Sequence, residues 1–178
     1  GSTEIQACIH GVRSSGDFAF CCLPGQQGCV ARYGFMFRAN EEKSQKTHAQ
    51  IRAVFAKRVK EPKPYTIIYA YFIKSGIFGQ KSSSFVVGFS DKLKELVVIP
   101  TNLDMDEADD AIRLNRDNIL SAKFGLQGEV KIKSGILDKE LRLVVPAYTP
   151  AALESAHILP INQEAEAEAF RRFIKENF

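Results

Sequence analysis

Cys8, Cys21, Cys22 and Cys29 are the side chains of this sequence best suited to metal ligation, disulfide formation or nucleophilic attack. Zinc knuckles need cysteines in short, regularly spaced pairs, and these four are not spaced that way. Cys21 and Cys22 are adjacent, so on a strand they project to opposite faces. A nucleophilic thiol needs a base partner, and His10 is a neighbour of Cys8 in sequence only. The cysteines read as buried free thiols in a reducing compartment.

Acid–base or calcium chemistry would fall to Asp104, Asp106, Glu107, Asp109 and Asp110. Counted from Asp104, a calcium loop needs glycine sixth and glutamate twelfth. The chain has Asp109 and Asn115 there, so the stretch reads as a solvated acidic loop or short helix. His10, His48 and His157 are scattered, and neither a metal site nor a cofactor is expected.

Anion binding would fall to a basic stretch. Residues 41–63 hold seven basic side chains against three acidic ones. Lys57, Arg58, Lys60 and Lys63 close it, and Lys74 and Lys81 follow in a loop. Together these six are the candidate ligand- or partner-binding residues. Ile51, Val54, Phe55 and Val59 form a short apolar stripe without the bulky interfacial residues of membrane helices, so a solvated outer face is the simpler reading.

No nucleophile elbow, phosphate loop, HExxH or paired-carboxylate signature occurs, so the chain is not expected to be an enzyme. Composition is that of a globular chain: 178 residues, 45% hydrophobic and 25% charged. A net charge of +3 is too mild to point to nucleic acid. There is no apolar run of about 18 residues to span a membrane. Gly1-Ser2 reads as an expression scar, and no secretory leader is visible. The expected location is cytoplasmic, with membrane association as the second reading.

The elements that would carry these residues follow from periodicity. Phe170, Phe173, Ile174 and Phe178 make one stripe of a terminal helix, residues 163–178. Asn162 is its expected N-cap, and Glu164, Glu166 and Glu168 suit the positive end of its dipole. Before it, residues 123–133 and 139–148 alternate apolar and charged, as strands wet on one face do. Residues 134–139 make the turn between them. Residues 5–12, 17–23 and 29–37 read as short strands, and 41–60 as a helix that Pro62 and Pro64 end. Strands at 65–73, 85–89 and 96–99 form a meander, with 75–84 a loop around Ile77-Phe78. Residues 146–153 read as loop, and 157–159 as a last short strand.

The expected fold is α+β: a strongly bent antiparallel sheet or partly open barrel, capped by a C-terminal amphipathic helix, with a β-rich N-terminal extension and a connecting helix. Residues 3–60 would be the extension and 64–178 the main domain. The strands at 65–73, 85–89, 96–99, 124–132, 141–145 and 158–159, with the helix at 163–178, resemble the pleckstrin-homology-like superfold of bacterial type. That resemblance implies two near-orthogonal layers plugged at one end by the helix. Many members bind inositol lipids through a basic cluster in the first inter-strand loop. This chain has only Lys74 and Lys81 there, without a following Lys-x-Arg pair, so inositol lipid is not the expected ligand. Other members bind proteins along a sheet edge. The leading expectation is a non-catalytic binding or scaffolding module that engages a protein partner and self-associates. An anionic lipid or other anionic ligand at the six basic residues stands second, and an enzyme of unknown class third.

Overall fold

A computed structural model describes residues 29–77 and 79–178, with side chains from Asn40 onward. The chain divides into Gly1–Phe35 and Met36–Phe178. The strands expected at 5–12 and 17–23 lie outside the described residues, as do Cys8, His10, Cys21, Cys22 and the side chain of Cys29.

The first described element is helix α1, Cys29–Arg58. Residues 29–37, expected as a strand, are its opening turns. Aromatic and β-branched residues lower helix propensity by only tenths of a kcal/mol each. Propagation from the strong helix formers after Asn40 overrides that preference. Within the helix, the side-chain oxygen of Asn40 accepts the Ala151 N–H at 3.2 Å.

From Met36 onward α1 belongs to the larger unit, where it forms a layer. Ile51, Val54, Phe55 and Val59 are buried against Tyr69, Val86, Val97 and Ile99 of the main sheet. The contact is close: a β-carbon at Gly88 would overlap the Phe55 ring.

The main sheet is antiparallel, in the order β1 (Thr66–Gly76), β2 (Gly79–Ser90), β3 (Glu95–Thr101), β4 (Ile112–Asn115). Its central strands are buried on both faces, which is why 85–89 and 96–99 are continuous apolar runs. One face meets α1. Ile68, Ala70, Val87, Phe89, Leu96, Val98 and Leu114 form the other.

A second antiparallel sheet packs on that inner face, in the order β5 (Ile119–Phe124), β6 (Val130–Ser134), β7 (Leu141–Leu143). Residues 123–133, expected as one strand, are therefore a hairpin. Gly125 N–H donates to Glu129 O at 2.7 Å, and Gly128 takes φ 79°, which suits glycine. The alternation survives the turn because cross-strand partners such as Phe124 and Val130 share a face. The expected turn at 134–139 is present between β6 and β7.

A third, two-stranded pair joins β8 (Tyr148–Thr149) to β9 (Ile161–Asn162). Residues 146–153 thus hold a strand and the start of a 3-10 helix, Ala151–Ala156. The strand expected at 157–159 lies slightly later, because His157 is left-handed (φ 58°) and breaks extended structure there. The sheets do not close into a barrel. A single antiparallel bridge, Tyr71 to Val144, joins the first to the second.

Helix α2, Glu164–Asn177, caps the inner face as its stripe implies. Ala167, Phe170, Phe173 and Ile174 are buried, and Phe89 lies 5.6 and 5.3 Å from the Phe170 and Phe173 ring centroids. The N-cap is Gln163 and not Asn162. Asn162 is held elsewhere: its N–H donates to Ser44 Oγ, and His48 Nε2–H donates to its carbonyl, both at 2.9 Å. No described helix is long and apolar enough to cross a membrane.

Candidate binding edge

The six basic residues singled out by sequence fall into two groups. Lys57, Arg58, Lys60 and Lys63 lie at the end of α1 and in the segment leading to β1. Lys74 and Lys81 are register partners near the tip of the β1–β2 hairpin. From Thr66 to Lys74 the strand covers about 26 Å at 3.3 Å per residue, so one compact ligand cannot touch both groups.

The α1 end borders a groove of about 430 Å³ lined by Arg58, Lys60, Tyr65, Glu95 and Arg113 among others. Its polar groups are largely spent on one another. Tyr65 OH donates to Glu95, and Arg113 Nη1 donates to both Glu95 oxygens at 3.2 and 3.1 Å. Burial first, then the Glu95 carboxylate, pushes the Tyr65 phenol up. Arg58 donates to Ala108 O and lies 3.6 Å from Asp110.

The acidic loop is closed by its own side chains. Asn102 Oδ1 accepts the N–H groups of Asp106 and Glu107 at 3.1 and 3.2 Å and so ties the loop. The Asn102 amide also donates to Asp106 and lowers its pKa. Among the described residues, no three His, Cys, Asp or Glu side chains are placed to hold a metal.

The hairpin end differs. Along a strand, alternate residues direct their backbone N–H and C=O toward the same edge. Tyr69 and Tyr71 turn theirs away from β2. The Tyr69 N–H donates to Gln163 Oε1 at 2.9 Å, and Gln163 Nε2 donates to Tyr69 O at 2.8 Å. Tyr71 exchanges both of its backbone bonds with Val144, at 3.0 and 2.7 Å. Ile73 and Ser75 continue the parity, and among the described residues nothing pairs with them on that side. From Tyr69 on, the outer edge of β1 is thus closed by an amide, then by Val144, then unpaired among the described residues at Ile73 and Ser75.

Beside the open stretch lies a cavity of about 380 Å³ lined by Phe72, Lys74, Phe85, Glu140, Leu141 and Arg142. Arg142 donates to Glu140 at 2.9 Å, and its guanidinium lies 6.0 Å from the centre of the Phe72 ring. A second hollow of about 270 Å³ continues along the hairpin past Lys74 and Lys81 to Ile77, which is 98% exposed.

Sequence reasoning found Lys74 and Lys81 and missed Phe72, Ile73, Ser75 and Arg142. Residues 75–84, expected as a loop, are strand almost throughout. Their Ser, Gly, Gln and Lys residues suggest a turn by composition. The overlooked signal is mirror symmetry about 77–78: Gly76 faces Gly79 and Lys74 faces Lys81. The chain matches no known family model, no curated protein and no solved structure.

Proposed function

We propose that Met36–Phe178 is a non-catalytic binding module that takes an extended segment of a partner protein as an added strand on β1. The observation that carries this reading is the open edge at Ile73 and Ser75 beside a cavity with an apolar wall of Phe72, Phe85 and Leu141. Added strands gain affinity from such backbone groups and specificity from neighbouring pockets. Four strands, then three, then a short two-stranded pair and a terminal helix support the pleckstrin-homology-like reading of residues 65–178. The self-satisfied polar groups of the larger groove favour binding over catalysis.

Selection of random displayed peptides on the full chain tests this reading. Bound peptides should protect the Ile73 and Ser75 amides from hydrogen exchange and should lose binding to Ser75→Pro. The Ser75 N–H faces away from β2, so proline there blocks the edge and leaves the ladder intact. Peptides that bind Ser75→Pro equally well and leave both amides exchanging would sink it.

A second reading, docking on an anionic membrane surface, draws support from exposed Ile77 between Lys74 and Lys81. Equal sedimentation with anionic and neutral vesicles, or none with either, ends it.

A further inference from the structure

The open edge has a charge as well as a shape. The two hollows along it hold three cations, Lys74, Lys81 and Arg142, against one anion, Glu140. Glu140 is already paired with Arg142. Among the described residues neither Lys74 nor Lys81 makes an ion pair, although they face each other directly across the hairpin. Like charges in that position destabilise a sheet, so this pair is a local cost that an added anion would relieve.

The same sign of charge runs along the neighbouring sheet. Lys123, Lys131 and Arg142 are consecutive register partners across β5, β6 and β7, and so share one face, with Lys131 paired to Glu129 and Arg142 to Glu140. The row ends at β7, the strand that borders the open edge through the Tyr71–Val144 bridge. A segment laid beside Ile73 and Ser75 would have Lys74, Lys81 and Arg142 along the two hollows next to it.

We infer that the segment held at this edge is acidic: an extended partner peptide with Asp or Glu at alternate positions, one of them opposite Lys74. The inference rests on the proposed edge pairing and adds the chemistry of the partner. Two candidate occupants can be weighed by charge. A second copy of this chain, paired through the same edge, would bring Lys74 and Lys81 against their own equivalents. An acidic strand extends the Lys74–Lys81 row with the opposite sign. Side chains between the acids would project to the opposite face of the added strand, beside Ile73 and Ser75.

The test uses three ten-residue peptides in which Val and Thr alternate with Glu, Gln or Lys. Each is titrated against the full chain with hydrogen exchange read at Ile73 and Ser75. The Glu peptide should bind about fivefold more tightly than the Gln peptide, equivalent to about 1 kcal/mol. That is the scale of two exposed charge pairs. The advantage should vanish in about 1 M salt, where the screening length is about 3 Å. It should also vanish in the double variant Lys74→Glu, Lys81→Glu. Equal binding of the Glu and Gln peptides, with both amides protected, overturns the acidic partner and leaves the edge reading standing. Failure of every peptide to protect Ile73 and Ser75 overturns both. Retention of Glu-peptide binding by Ser75→Pro, or uptake by anionic vesicles without peptide binding, overturns the acidic strand in favour of a charge-only surface.

Discussion

At Gln163 a side-chain amide stands where a neighbouring strand would otherwise pair with Tyr69. Its three hydrogen bonds, to Tyr69 N–H, Tyr69 O and Pro146 O, all span 2.8–2.9 Å, and the residue is fully buried. Gln163→Ala would leave a buried backbone donor and acceptor unpaired. A cost of about 3 kcal/mol is expected, since each unsatisfied buried group costs about 1–3 kcal/mol. Urea unfolding measures it, and a loss below about 1 kcal/mol would show that water or a neighbour replaces the amide. Gly88 carries a different constraint. Alanine there would collide with the ring of Phe55, which is fully buried and cannot swing out. Gly88→Ala should cost about 1–3 kcal/mol, as overpacked cores do. Phe55→Leu should recover part of that loss in the double variant, and strict additivity would refute the collision. A glycine inside an apolar strand is a readable sign of close approach. Gln163 had no such sign, because nothing local distinguishes a helix-opening glutamine from one that closes a sheet edge.

Among the elements, legibility follows from how many faces are buried. Helix α2 has one dry face, so the spacing of Phe170, Phe173 and Ile174 sufficed to place and orient it. Helix α1 was read too short, because the aromatic residues of its first turns are common in strands and its propagation is a cooperative property of the whole segment. The β5–β6 hairpin was read as one strand because its arms keep the same parity across the turn. That turn is tied by Glu129, whose carboxylate is held below the usual glutamate range by its own amide first, then by Lys131 and the Gln127 N–H. A lowered folded pKa means that the stabilisation is present above the ordinary glutamate range and is lost as pH falls through the lowered value. Glu129→Gln should therefore be less stable than the parent at pH 7, and the gap should close below about pH 4. A gap that stays constant down to pH 2 would show that shape and hydrogen bonding matter there, and charge does not.

For the whole unit, the feature that matters for docking is a sheet covered on both sides whose β1 edge is left unpaired at Ile73 and Ser75 among the described residues. Open edges recruit further strands, and lysine on an edge is a known defence against pairing with a second copy of the same chain. Lys74 and Lys81 fit that role: both are exposed, Lys74 sits on the β1 stretch beyond Tyr71, and Lys81 opposes it in register on β2. The same two charges that would attract an acidic partner would then keep this chain from pairing with itself. Replacing both with valine removes the repulsion and raises β-propensity, while the ladder between β1 and β2 keeps every backbone bond. The double variant Lys74→Val, Lys81→Val should self-associate at concentrations where the parent sediments more slowly, and adding Ser75→Pro should reverse it. Sedimentation velocity over a concentration series reads both effects. Self-association that survives Ser75→Pro would place the contact on the new apolar side chains alone, and the open backbone of β1 would lose its claim as the docking edge.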